Sequence, residues 1–347
     1  MQSHRNLVVL GAALAAALAI TGVGAQGQGP QLASNDFPNP YKIENFGQLP
    51  AGRKIGATYG IDIDRDGKSV WVFERCGGAT CDASSVAPLL KFDASGKLIA
   101  SFGAGMFVYP HGVHVDRDDN IWVTDGQGKG AKGQQVVKFS PTGRVLLTLG
   151  TAGVAGDGPD TFNQPSDALV APNGDIFVAD GHGGDSNARI VKFDKDGKFI
   201  KTWGKKGSGP GEFDTPHGLV MDPQGRLLVA DRGNSRIQAF DQEGKFLAEW
   251  KQFGRPSGIF LDAAGMLYSA DSQSNTPTVN PTLKRGVRIG SERDLKVRFF
   301  VPEPDPIAAG QGGGREGIAV DRDGIIYVAK TGDGGLYRYI KQSSGTR

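Results

Sequence analysis

Cysteine is nearly absent from this chain: Cys76 and Cys81 are the two among 347 residues. That excludes a disulfide-built scaffold and a zinc site made of cysteines alone. In an oxidising compartment the pair can close one small loop, which spacing alone does not decide. Surplus charge is missing too, with 39 Lys and Arg against 37 Asp and Glu, a formal net charge of +2. Nothing in that balance attracts nucleic acid or an anionic bilayer. Helical periodicity is missing throughout, which excludes bundles and helical solenoids. The one long apolar run, Leu7 to Ile20, is too short and too rich in Ala for a membrane span. With Arg5 before it and Val23-Gly24-Ala25 after it, this run reads as a signal peptide over residues 1–25. The expectation is a secreted or periplasmic protein with no membrane association after cleavage. Residues 26–40 read as a flexible lead-in, 41–342 as one β domain, and 343–347 as a tail.

What the chain has in quantity is turn residues, 53 Gly and 19 Pro, and a repeat. Its copies open at Gly60-Ile-Asp-Ile-Asp64, Gly112-Val-His-Val-Asp116, Asp167-Ala-Leu-Val-Ala171, Gly218-Leu-Val-Met-Asp222, Gly258-Ile-Phe-Leu-Asp262 and Gly317-Ile-Ala-Val-Asp321. Each runs into a tight turn at Gly67, Asp119, Gly174, Gly225, Gly265 or Gly324, then a second apolar strand such as Ile121-Trp-Val-Thr124. Four short strands in each of six units predict an all-β, six-bladed β-propeller. The sixth unit supplies three strands, ending at Leu336–Ile340. The segment Tyr41–Phe46 supplies the fourth, so both termini share one blade and no sheet edge stays free.

The innermost strand of each blade lines the axis, so the residue before each opening Gly or Asp falls on one ring. Those residues are Tyr59, His111, Ser166, His217, Ser257 and Glu316. Three share the entry Phe-x-x-Pro, beginning at Phe107, Phe162 and Phe213. Alternate blades contribute His111, His217 and Glu316, whose two imidazoles and carboxylate can converge on one axial divalent metal, zinc being favoured. The competing reading of these residues is a set of polar plugs bonded across the channel. A second tier lies just after the second strands, where Arg75, His182 and Arg232 face the same mouth. Two guanidiniums there suit a substrate carboxylate; pairing of Arg75 and Arg232 with Asp or Glu in the blade walls is the equal alternative.

The segment Asp231-Arg-Gly-Asn-Ser-Arg-Ile-Gln-Ala-Phe240 resembles the NHL repeat, with Asp180 and Asn187-Ala-Arg-Ile190 as a second copy. Together with Tyr109-Pro-His-Gly112 and Thr215-Pro-His-Gly218, it makes the chain similar to the peptidyl-α-hydroxyglycine α-amidating lyases. That resemblance implies zinc on His111 and His217, with Arg75 and Arg232 holding substrate. It also implies His182 at the proton-accepting position, which the family fills with Tyr. Glu316 stands where the family has a third His. Gly317 stands where the family's structural calcium uses an acidic residue. The activity implied is cleavage of a carbinolamide C–N bond to an amide and glyoxylate, on a small-molecule or peptide substrate with a carboxylate; separately, the chain is expected to be a monomer. A metal-dependent lactonase or other lyase, and a non-catalytic NHL binding module, are the alternatives that the fold permits.

Overall fold

The computed structural model describes residues 35–276, 280–304 and 313–343. The expected signal peptide, the lead-in up to residue 34 and the tail from residue 344 lie outside the described residues. The described residues form twenty-four strands and no helix. They assemble into six four-stranded antiparallel sheets, the six blades.

The inner strands are β2 (Thr58–Ile63), β6 (Pro110–Val115), β10 (Pro165–Val170), β14 (Pro216–Met221), β18 (Ile259–Leu261) and β22 (Arg315–Val320). The closing blade is the one expected. Its outer strand β1 (Tyr41–Asn45) pairs with β24 (Leu336–Lys341), Tyr41 opposite Lys341. Second strands are buried on both faces, whereas outer strands alternate half-buried and exposed, as in Leu98–Phe102 and Phe199–Trp203. The apolar core therefore lies between blades. Trp71, Phe73 and Leu89 of the first blade pack with Val113, Ile121 and Phe139 of the second.

Turn chemistry sets the register of the first hairpin in each blade. The chain reaches φ +71° at Gly67, +93° at Gly174 and +64° at Asp119, the one copy without Gly. An Asp can adopt that left-handed conformation at modest cost. The Asp that opens the turn also accepts from an aromatic side chain of the next strand: Asp64 from Trp71, Asp116 from Trp122, Asp262 from Tyr268.

The NHL signature has a physical basis here. Asp231, at the end of β15 (Leu227–Asp231), accepts from Arg236 Nε, Asn234 Nδ2 and the Asp214 backbone N–H, each at 2.8 Å. Arg236 in turn donates to the carbonyls of Ser208, Gly209 and Glu212. Asp180, at the end of β11 (Ile176–Asp180), repeats the arrangement with Arg189, Asn187 and Asn163. Each carboxylate ties the loop entering the inner strand to the loop leaving the second strand. Phe107, Phe162 and Phe213 are buried beneath those entries; truncating one to Ala costs about 3–5 kcal/mol.

Candidate metal centre

Six inner strands in one orientation bring the ring residues to a common level, and all six are buried. The two serines face the blade walls. Ser166 Oγ donates to the Pro216 carbonyl at 2.7 Å, and Ser257 Oγ lies 3.0 Å from Ser272 Oγ. Their backbone carbonyls face the histidines. His111 Nδ1 lies 2.6 Å from Ser166 O, and His217 Nδ1 lies 3.2 Å from Ser257 O. A carbonyl can only accept, so Nδ1 carries the proton in both rings and Nε2 keeps its lone pair. Both Nε2 atoms are buried without a hydrogen-bond partner.

A second set of side chains arrives on loops held in register with the ring. The N–H of Arg75 donates to the Ala57 carbonyl, that of Gly181 to Gln164, and that of Arg232 to Thr215. Thr215 itself is held at φ +70°, a strained conformation for a β-branched residue directly before Pro216 and His217. The Ser186 hydroxyl oxygen accepts from the N–H groups of His182 and Gly183, folding that loop back toward the axis.

The result is a cluster of three imidazoles. The ligand atoms of His111, His182 and His217 all lie within 4.8 Å of one another. Their ring centroids are 4.6 Å (His111 to His182), 4.8 Å (His111 to His217) and 5.1 Å (His182 to His217) apart. Burial holds all three well below the ordinary imidazole value. The charges of Arg75 and Arg232 add to that for His111 and His182, and the charge of Arg232 for His217. Three neutral imidazoles, two with free lone pairs and fixed tautomers, fit a divalent transition metal.

The structure divides the expected roles differently. His182, expected as a proton acceptor, joins the imidazole cluster because Gly181 and Ser186 turn its loop inward. Glu316, expected as the third ligand, is ion-paired with Arg232, Oε1 to Nη1 at 2.6 Å. The same oxygen lies 3.4 Å from His217 Nε2. Two lone-pair acceptors that close repel unless a proton or cation lies against both, and Glu316 stands at the edge of the cluster. Arg232, read from the sequence either as a substrate arginine or as the partner of a carboxylate, spends one amino group on Glu316, and its other lies 3.5 Å from His182 Nε2. Arg75 lies flat on Tyr109, its Cζ 3.6 Å from the ring centroid, and donates through Nε to the Pro110 carbonyl. Tyr59 closes the cluster from the axial side, stacked on His111 and edge-on to His217, both at 4.5 Å. Beside Gly317 there is no room for an acidic side chain: a Cβ on that residue would stand 1.8 Å from the Tyr59 carbonyl oxygen. Cys76 and Cys81 form a disulfide directly after Arg75.

Sequence reasoning missed the contribution of Tyr109. Its place two residues before His111, in a motif repeated as Thr215-Pro-His217, was the available signal.

A family model described as the NHL repeat matches residues 213–240. Peptidyl-alpha-hydroxyglycine alpha-amidating lyase 1 of Drosophila melanogaster is 38% identical over 220 residues, covering 55% of this chain and 38% of that protein. Peptidyl-glycine alpha-amidating monooxygenase A of Xenopus laevis is 36% identical over 203 residues, covering 52% of this chain and 21% of that protein. The chain thus spans about a fifth to two fifths of the length of these relatives. A solved gluconolactonase of Xanthomonas campestris superposes with a TM-score of 0.60 at 15% identity, over 90% of this chain and 93% of that one, a likeness of fold alone. The chain is therefore a six-bladed propeller with an NHL repeat, and a relative of the peptidyl-α-hydroxyglycine α-amidating lyases.

Proposed function

We propose that the protein is a metal-dependent carbon–nitrogen lyase that splits a carbinolamide, such as a peptidyl α-hydroxyglycine, into an amide and glyoxylate. The observation that carries this reading is the convergence of His111, His182 and His217 beside two arginines. His111, His182 and His217, with Glu316 at their edge, would hold the cation, and a bound zinc ion supplies Lewis-acid polarisation of the substrate hydroxyl. Arg75, fixed by Tyr109 and the Pro110 carbonyl, holds the substrate carboxylate through its terminal amino groups and orients the C–N bond. His182, the half-buried member of the three, is neutral beside Arg232. With its one lone pair committed to the cation it cannot also accept a proton, so the Glu316 carboxylate at the edge of the cluster takes the hydroxyl proton as the C–N bond breaks and returns it to the departing amide nitrogen. The disulfide supports a location outside the reducing cytosol.

A second reading, a metal-dependent lyase or lactonase acting on another substrate, is favoured by one observation. Glu316 occupies Arg232, so this site offers a substrate anion less positive charge than two free guanidiniums would. The deciding experiment is glyoxylate release from α-hydroxyhippurate by zinc-loaded protein. Zinc-dependent turnover that His217→Ala abolishes supports the lyase. A metal-loaded protein that leaves this substrate intact supports the second reading.

A further inference from the structure

The axial channel does not end at the histidines. Tyr59 touches His111 and His217 on one side and lines a cavity of about 720 Å³ on the other. All six inner strands wall that cavity, with Ile61, Val113, Leu169, Leu219, Ile259 and Ile318 each contributing an apolar side chain. These residues follow the ring positions along their strands, so the cavity occupies the half of the channel away from the imidazoles. Arg65, Ala263 and Arg322 line it and are exposed, so it opens to solvent at that end. The volume is that of a small-molecule site.

Two carboxylates interrupt the apolar wall. Asp167 is buried and accepts from the N–H groups of Leu219 at 2.9 Å and Ala168 at 3.0 Å. Asp62 accepts from Val115 N–H at 2.8 Å and lies 3.5 Å from His114 Nδ1. Each reaches from its own blade to the next inner strand, and each keeps lone pairs beyond those it uses. The aspartates at the rim differ. Asp64, Asp262 and Asp321 are engaged by their own turns and by Trp71, Tyr268 and Tyr327. Asp62, His114 and Asp167 all line this cavity, on inner strands of the first three blades.

We propose that this half of the channel is a second binding site, for an organic cation with an apolar body, an alkyl- or arylalkyl-ammonium, whose ammonium group docks between Asp62 and Asp167. A metal ion fits less well. Among the described residues, the histidine cluster is the one group of three or more His, Cys, Asp or Glu side chains placed to hold a metal ion, and Asp62, His114 and Asp167 do not form another. An ammonium group accepts spread carboxylates, and its apolar body covers the aliphatic wall.

The test is calorimetric titration of the zinc-loaded protein with phenethylammonium, 2-phenylethanol and 3-phenylpropanoate near pH 7.5. Saturable binding of one phenethylammonium per chain is expected, with the neutral and anionic analogues at least about tenfold weaker. Asp62→Asn and Asp167→Asn should each weaken the ammonium about tenfold while keeping the melting transition, and His217→Ala should leave binding intact. Since binding is read without turnover, failure of the lyase reading does not affect the result. No saturable binding, equal affinity for cation and carboxylate, or indifference to both Asp variants would each overturn the proposal. So would loss of binding in His217→Ala alone, which would place the ligand at the histidines.

Discussion

Arg232 of the fourth blade and Glu316 of the sixth meet across the axis, Nη1 to Oε1 at 2.6 Å, with both side chains buried. The pair does two things at once. It holds a carboxylate oxygen 3.4 Å from His217 Nε2, and it neutralises a guanidinium whose charge would otherwise oppose a cation among the imidazoles.

Breaking this pair from one side leaves a buried charge uncompensated. Glu316→Gln should lower stability by about 3–5 kcal/mol and weaken zinc binding by roughly 10- to 100-fold. Thermal melts and titration against a competing chelator measure the two effects. The double variant Glu316→Gln, Arg232→Met should recover most of the stability, since no unpaired charge remains. An unchanged melt in the single variant would show that the pair has no such role.

The role of His182 separates by metal content. If it ligates, His182→Ala should lose zinc affinity by at least about tenfold, as His217→Ala should, and turnover should fall with it. If His182 only carried protons, zinc would stay at one per chain while turnover alone collapsed. Metal analysis of the two variants after gel filtration distinguishes these outcomes.

The disulfide closes a loop with a sequence separation of 5 residues between Cys76 and Cys81. The entropy of so short a loop corresponds to about 2 kcal/mol. Cys76→Ser with Cys81→Ser should therefore leave the propeller folded but lower its melting temperature by several degrees. Because the loop begins at Arg75, substrate KM should rise more than kcat falls. Equal changes in both would argue that Arg75 is positioned without help from the disulfide.

Burial pushes the Asp167 carboxyl up to about 7. A carboxyl raised above its unfolded value favours folding while protonated. Its contribution is full below about pH 4 and is lost as pH rises through about 7. Wild-type protein should accordingly melt lower at pH 8 than at pH 5.5 by more than Asp167→Asn does, in the same buffers and without zinc. A pH dependence identical in the two proteins would place Asp167 in a wetter setting than the structure does.

The fold was legible because one unit recurs with its turn residues in step, even where Asp119 replaces Gly. The termini betrayed closure because Tyr41–Asn45 reads as the strand that the last blade lacks. His111, His217 and Glu316 could be aligned because inner strands share one frame. His182 could not be placed with them. It sits on a loop whose path depends on Gly181, Ser186 and the Asp180 network, not on strand periodicity. Nor does spacing tell how far an Arg232 side chain reaches, so its pairing with Glu316, two blades away, was not readable.

Zinc content together with zinc K-edge absorption of the full protein tests the central claim most directly. The expected result is one zinc per chain, with imidazole nitrogens at roughly 2.0–2.1 Å, lost in the His111→Ala, His217→Ala double variant. Zinc bound equally by wild type and double variant, or no retained zinc in either, would contradict it.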